Sequence, residues 1–105
     1  MIFRSNNCIA IHLTDLDKAE KFYTKFMGFH LKNKTSSQLE YDTGHFLLYI
    51  NKDAETQPPI PSFTVRNVKA AKLELIEQGC SIIEDRGDSL YFKDPFGIIY
   101  DMVEG

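Results

Sequence analysis

The sequence predicts an α+β fold made of two βαβββ modules in tandem, and three observations support this prediction. Short segments that alternate apolar and polar residues, as β-strands do, recur along all 105 residues. Two other segments place apolar residues at steps of three and four, which is typical of amphipathic helices. The order of these segments in the first half recurs in the second half, and such a repeat indicates repeated structural modules. We therefore expect a single domain with modules at about 6–50 and 60–104, joined by a polar, Pro-containing linker at 51–61.

The first module opens with a strand that alternates between an Ile/Leu face and a mixed face that holds Cys8 and His12. Thr14 or Asp15 then caps a helix, because short polar side chains accept hydrogen bonds from the first helical amides. Gly28 is placed to end this helix, since glycine readily adopts the left-handed conformation found at helix C-termini. Three further strands complete the module, at 29–31, 38–42 and 45–50.

The second module repeats this order. A strand ending at Val65 precedes a helix that Asn67 caps and Gly79 ends. The last two strands flank the sequence Asp94-Pro95-Phe96-Gly97, which predicts a hairpin turn because proline presets one turn position and glycine supplies the permissive one. The strands after the helix lie at 80–83, 89–92 and 98–104.

Composition excludes several classes of protein. The hydrophobic fraction of 43% is enough for a packed core, and the net charge of −3 comes from interspersed acids and bases without a basic stripe, so no nucleic-acid partner is expected. No apolar run approaches the roughly 18 residues of a membrane span, so no membrane partner is expected either. The N-terminal residues lack the apolar core of a signal peptide. We expect a cytoplasmic protein in which Cys8 and Cys80 are reduced thiols.

The two modules carry a set of paired motifs, which are Ile9-Ala10-Ile11-His12-Leu13-Thr14-Asp15-Leu16, Ala19, Phe22-Tyr23, Met27-Gly28-Phe29, Val65-Arg66-Asn67-Val68, Gly79, Asp94-Pro95-Phe96-Gly97 and Asp101-Met102-Val103-Glu104. These motifs resemble those of the vicinal-oxygen-chelate superfamily, which holds glyoxalases, bleomycin- and fosfomycin-resistance proteins and extradiol dioxygenases. The resemblance covers nearly the whole chain and implies that the two modules form a curved mixed sheet around an open cup, with helices on the convex face, in a homodimer.

The resemblance also implies where a metal would bind, on the first and last strand of each module. These positions hold Cys8, Leu48 (give or take one residue), Ile60 and Asp101, where metal enzymes of the family carry His, Glu or Gln, His and Glu. Only Asp101 matches in kind, and a catalytic metal site generally needs about three protein ligands. We therefore expect no cofactor and no metal site, with a divalent metal on Cys8, His12 and Asp101 as the alternative. The resemblance identifies no catalytic residue.

Strand alternation predicts the lining of the cup if the face with Cys8 points inward. The predicted lining is largely apolar with a few polar groups, which suits a small amphipathic ligand, whereas the alternative is a cup filled by its own side chains. His30 and His45 are expected at surface or edge positions. The lining residues are Cys8, Ala10, His12, Phe46, Leu48, Ile50, Ile60, Ser62, Thr64, Ile99, Asp101 and Val103.

Asp101 is the one acid inside an otherwise apolar strand, and it has two interpretations. As a structural residue it would hydrogen-bond Ser62, Thr64 or His12 across the cup. As a functional residue it would be a ligand or base with a raised pKa.

Three functions follow from these observations. The first is a metal-independent protein that binds a small molecule, as bleomycin-resistance proteins do. The second is a metal-dependent lyase, isomerase, thiol transferase or dioxygenase, so whether the chain is an enzyme stays open at this point. The third is an interaction module without a ligand. The missing metal ligands and the apolar wall favour the first.

Overall fold

The computed structural model describes all residues, Met1–Gly105, and contains eight strands and two helices in the predicted order. The elements are β1 (Arg4–Leu13), α1 (Leu16–Glu20) continued by a π-helical segment (Lys21–Phe26), β2 (His30–Lys34), β3 (Gln38–Asp42), β4 (Leu47–Lys52), β5 (Gln57–Val65), α2 (Val68–Glu77), β6 (Ser81–Asp85), β7 (Ser89–Lys93) and β8 (Ile99–Glu104). The order βαβββ occurs twice, which confirms the predicted α+β fold of two modules. The chain forms two compact units, Asn7–Pro59 and Ile60–Gly105 together with Met1–Asn6.

The linker between the modules is shorter than the sequence predicted. β4 ends at Lys52 and β5 already begins at Gln57, so only residues 53–56 lie outside the strands. The prolines at 58, 59 and 61 therefore belong to β5. A strand tolerates proline where its nitrogen need not donate to the ladder, and the fixed φ of proline is compatible with extended backbone. The predicted linker at 51–61 is wrong because its prolines lie in the extended backbone of β5.

The unit Asn7–Pro59 contains a mixed sheet in the order β2-β3-β4-β1, in which β4 runs parallel to β1 and the other pairs are antiparallel. One face of this sheet packs against α1 through Ala19, and the side chains of Leu39, Tyr41 and Ile50 are completely buried there. Asp15 caps α1, since its Oδ1 accepts a hydrogen bond from the Lys18 amide at 3.0 Å. The cap predicted at Thr14 or Asp15 is thus Asp15.

The helix of this unit changes its winding after Glu20. In the π-helical segment each turn takes an extra residue, so the amide of Met27 donates to the carbonyl of Phe22, five residues back, at 3.0 Å. Gly28 follows with a φ of 75° and ends the helix, as predicted. The periodicity of the sequence did not indicate this change of winding.

The unit Ile60–Gly105 contains a mixed sheet in the order β5-β8-β7-β6, in which β5 and β8 are parallel. Asn67 caps α2, as predicted: its Oδ1 accepts from the amide of Ala70 at 2.9 Å. Glu104 Oε1 accepts from the Val68 amide at 2.8 Å and satisfies a further free donor at the start of this helix. One face of the sheet packs against α2, and the buried residues of this core are Val65, Val68, Ala71, Leu75, Leu90, Phe92 and Met102.

Residues Met1–Asn6 pack with the second module, although they precede the first in sequence. The ring of Phe3 meets the rings of Phe63 and Phe92 edge to face, with centroids 6.5 and 6.2 Å apart. Arg4 Nη2 donates to the carbonyl of Gly105 at 3.1 Å. The N-terminal segment is therefore a structural part of the unit that contains Asp101. None of the helices has both the length and the apolar character needed to cross a membrane.

Candidate functional site

Asp101 lies on the face of the second unit's sheet that does not pack against α2, which we call the helix-free face. The strand register places Asp101 opposite Ser62 on parallel β5 and opposite Tyr91 on antiparallel β7. Directly opposed residues of neighbouring strands project to the same side of a sheet, so these three side chains share one face. The next residue along β8, Met102, points the other way into the core with α2.

A chain of hydrogen bonds crosses the helix-free face and ends at Asp101. Asn6 Nδ2 donates to Ser62 Oγ at 2.9 Å and to Thr64 Oγ1 at 3.2 Å. Ser62 Oγ in turn donates to Asp101 Oδ2 at 2.9 Å. Ser62 is a buried polar residue, 7% exposed, and its hydroxyl is satisfied by these two partners. The bond between Ser62 and Asp101 is one of the three that the sequence suggested for a structural aspartate.

The other carboxylate oxygen of Asp101 is buried and has no hydrogen-bond partner. Burial raises the pKa of the Asp101 carboxyl, while donation by Ser62, the positive charge of Arg86 and the nearby Met102 amide oppose this rise. An unpartnered, buried carboxylate oxygen is uncommon in folded proteins and often marks a functional position.

A cation and an aromatic ring lie beside Asp101. The guanidinium carbon of Arg86 stands 4.5 Å from the centroid of the Tyr91 ring. Its Nη2 forms an ion pair with Glu84 Oε2 at 3.1 Å, and its Nη1 donates to Ser89 Oγ at 3.3 Å. Burial raises the pKa of Tyr91, which is 7% exposed. Because Glu84 already pairs with Arg86, only part of this positive charge acts on Asp101.

The remaining predicted lining residues of this unit lie on β5 and β8. Ile60 is buried, at 5% exposure, and Thr64 is half-buried opposite Val103. Ile99 is half-buried at the start of β8, opposite Lys93. Ile99 and Val103 lie two residues from Asp101 in either direction, so alternation puts them on the helix-free face with it. They supply apolar surface on both sides of the carboxyl group.

In the unit Asn7–Pro59, the prediction that Phe46, Leu48 and Ile50 line the cup is wrong. The register pairs Cys8 with Leu47 and Ala10 with Tyr49, so Leu47 and Tyr49 share the face of the cysteine. Leu48 lies in the core cluster of Ala19, and Phe46 packs against the same cluster.

A shift of one residue in a strand moves every side chain to the other face, and Ile50 is likewise completely buried on the helix side. Alternation in the sequence could not show which face of β4 packs against the helix, because residues on both faces are apolar. The position that corresponds to Asp101 in the first module is therefore Tyr49, because it pairs with Ala10 as Asp101 pairs with Ser62. The pKa of Tyr49 is raised by burial and by the charge of Glu40.

The three histidines have different surroundings. His12 Nδ1 lies 3.1 Å from Asp53 Oδ2, in the loop after β4, and its side chain is 13% exposed. His30 and His45 are exposed. Cys8 is half-buried, and neither it nor Cys80 forms a disulfide. His12 therefore contacts a carboxylate of the loop that follows β4.

The side chains present do not fit the metal site that the resemblance implies. No three His, Cys, Asp or Glu side chains of the chain are grouped so that they could hold a metal ion. On the last strand of the first module, the ligand position holds the phenol of Tyr49. On the first strand of the second module, it holds Ile60, whose side chain cannot bind a metal. A catalytic zinc or iron site needs about three protein ligands.

Comparisons with known proteins agree with this architecture. The model of one family, the Glyoxalase/Bleomycin resistance protein/Dioxygenase superfamily, matches residues 7–101. A variant of homoprotocatechuate 2,3-dioxygenase from B. fuscum is similar with a TM-score of 0.76 at 23% identity, over 97% of this chain and 32% of that chain. The same enzyme from Arthrobacter globiformis is similar with a TM-score of 0.75 at 21% identity, over 97% of this chain and 36% of that chain.

The substrate complex of the Brevibacterium fuscum enzyme with 3,4-dihydroxyphenylacetate is similar to the same degree, with a TM-score of 0.75 at 23% identity, over 97% of this chain and 36% of that chain. The chain thus spans about a third of the length of these dioxygenase chains, and the likeness concerns the fold. Among curated proteins, no sequence matches it. The family match extends over nearly all of its residues, and the chain therefore belongs to the Glyoxalase/Bleomycin resistance protein/Dioxygenase superfamily.

Proposed function

We propose that the chain is a metal-independent binder of a small amphipathic molecule, which it holds at Asp101 on the helix-free face. The single observation that carries this proposal is the buried Oδ1 of Asp101, which lacks a hydrogen-bond partner. A buried acceptor without a partner lowers the free energy of unfolding by about 1–3 kcal/mol, and by more when it carries charge. A ligand that donates a hydrogen bond to Oδ1 would remove this cost, and the gain would appear as affinity.

The surroundings of Asp101 suit a ligand with an apolar body and one polar group. Ile99 and Val103 are half-buried and offer apolar surface on the same face, and Asp101 provides the polar contact, with Tyr91 and Ser62 buried beside it. Small-molecule sites typically combine a mostly apolar wall with a few placed polar groups that fix orientation. The composition of this face therefore favours a partly aromatic or aliphatic molecule over a highly charged one.

A metal-dependent enzyme is the second candidate, because the similar structures are dioxygenases. This similarity is compatible with a divalent metal and does not support the expectation of no cofactor. The donor groups favour the binder, because Cys8, His12 and Asp101 do not form a group that could hold a metal ion.

An interaction module whose cup is filled by its own side chains is the third candidate. The homodimer and the cytoplasmic location stay predictions.

The first experiment is an elemental analysis of untagged protein after dialysis, followed by incubation with zinc, nickel, manganese or iron(II). We expect much less than one metal ion per chain. A thermal-shift screen of small amphipathic compounds, bleomycin among them, then tests the binding itself, since a ligand of the native state raises the unfolding temperature. We expect the shift to disappear in Asp101→Asn and to persist in Asp88→Asn, which removes an equal charge from an exposed turn.

Two outcomes would contradict the proposal. Metal that survives dialysis at nearly one ion per chain would favour the enzyme, and variants of Cys8, His12 and Asp101 would then be assayed for lyase and oxygenase chemistry. A protein that binds neither metal nor any screened compound would favour the interaction module. A shift that Asp101→Asn leaves intact would place the ligand elsewhere.

A further inference from the structure

The hydrogen-bond chain on the helix-free face has a fixed direction because of Asn6. A serine hydroxyl has one proton and two lone pairs, whereas the amide nitrogen of asparagine only donates. Asn6 Nδ2 gives its two protons to Ser62 Oγ and Thr64 Oγ1. Ser62 oxygen therefore accepts from Asn6, and its single proton is directed to Asp101 Oδ2 at 2.9 Å.

The N-terminal segment holds Asn6 in this position. Phe3 is anchored between aromatic rings of the second module, and Arg4 donates to the carbonyl of Gly105. The next residue, Asn7, has a φ of 59°, in the left-handed region that asparagine tolerates better than most residues. This left-handed residue lies within β1, directly after Asn6, whose side chain is bonded to Ser62 and Thr64 of β5.

We infer that Asn6 is a positioning residue that sets the hydrogen-bond polarity of the Asp101 site and makes it select ligands with a donor group, such as an amine or a hydroxyl. This inference rests on the proposed function. Because Asn6 commits the Ser62 proton to Oδ2, Ser62 favours the ionised form of Asp101, whose buried Oδ1 has no partner and can only accept. A ligand carboxylate would meet the like charge of Asp101, and Arg86 is already paired with Glu84.

The first test needs no ligand. The titration of the Asp101 carboxyl is followed by carbon-detected NMR in the wild type, in Asn6→Asp and in Asn7→Asp. Asn6→Asp replaces the donating nitrogen by an accepting oxygen of nearly the same shape, so Ser62 loses its fixed direction. We expect the titration midpoint of Asp101 to rise in Asn6→Asp well beyond the change in Asn7→Asp, which adds the same charge one residue away without touching Ser62.

Equal midpoints in these two variants would overturn the positioning role. If Asn6→Asp does not fold, Asn6→Ala removes the donor without adding charge, and the same rise is expected there. The amide spectrum of each variant shows whether its fold is retained. A midpoint that stays at the wild-type value in Asn6→Ala would likewise refute the inference.

The second test compares matched aromatic probes by ligand-observed NMR. Benzylamine and benzyl alcohol carry donors, whereas anisole and benzoate present only acceptors. We expect the donors to bind the wild type about tenfold more tightly than the acceptors, and Asn6→Asp to lose this difference while Asn7→Asp keeps it. Tightest binding of benzoate would overturn the selectivity. If no probe binds the wild type, the proposed binding function fails, while the titration still decides the role of Asn6.

Discussion

Replacing Asp101 by asparagine is expected to stabilise the folded protein at neutral pH, although it removes the proposed binding group. Burial raises the pKa of this carboxyl above its value in the unfolded chain, which is about 3.9 for aspartate. The folded protein therefore holds the proton more tightly than the unfolded chain does. The resulting contribution to stability is full below the unfolded pKa and is lost as the pH rises through the higher folded pKa.

The size of the effect follows from the surroundings of the carboxylate. A buried neutral polar group without a partner costs about 1–3 kcal/mol, and a charged one costs more. Ser62 and Arg86 offset part of the cost of charge at Asp101. We therefore take the excess that asparagine removes as about 1 kcal/mol at neutral pH. In a domain of this size that corresponds to an increase in Tm of about 4 °C.

The assay is urea and thermal unfolding of the wild type, Asp101→Asn and the exposed control Asp88→Asn at several pH values from acid to neutral. The dependence of unfolding free energy on denaturant should keep its slope, because the surface exposed on unfolding does not change. Asp101→Asn should gain its advantage as the pH rises, and the control should follow the wild type. An Asp101→Asn variant that is less stable at neutral pH, or has the pH profile of the wild type, would refute this reasoning.

Three further predictions concern the fold and are tested by denaturant unfolding. Leu48→Ala should cost about 2–5 kcal/mol because Leu48 lies in the core, whereas Leu47→Ala on the opposite face should cost much less; equal losses would contradict the observed parity of β4. Asn67→Ala should cost about 1 kcal/mol through loss of the α2 cap, and an unchanged stability would contradict this role and leave Glu104 as the effective cap. Gly79→Ala should cost about 1–2 kcal/mol, since its φ is +88° although the nearest atom to an added Cβ is 3.9 Å away; an unchanged stability would show that the turn relaxes.

Much of the fold could be predicted because its signals are local. Asp15 and Asn67 cap their helices as the sequence indicated, since a cap forms with an amide three residues away. Gly28 and Gly79 have positive φ values at the two helix ends. The repeat of these signals in the same order identified the two modules without any tertiary contact, and the motifs within them resemble those of the family.

The face that β4 presents to α1 could not be predicted in the same way. β4 carries apolar residues on both faces, so alternation alone does not distinguish Leu47 from Leu48. The register with β1 decides, because Cys8 lies opposite Leu47 and Ile9 opposite Leu48. A pairing between residues 39 positions apart leaves no local trace in either strand.

The sequence by itself determined the order of elements, the helix ends, the repeat and the prominence of Asp101 as an acid in an apolar strand. Only the tertiary structure decided which neighbours that acid has. Asn6 reaches Ser62 across 56 positions, and Ser62 reaches Asp101 across 39. Caps and turns depend on backbone groups a few residues away, whereas the partner of a buried side chain depends on which strands pair. The chemistry of the Asp101 site therefore arises from contacts that form only when the chain has folded.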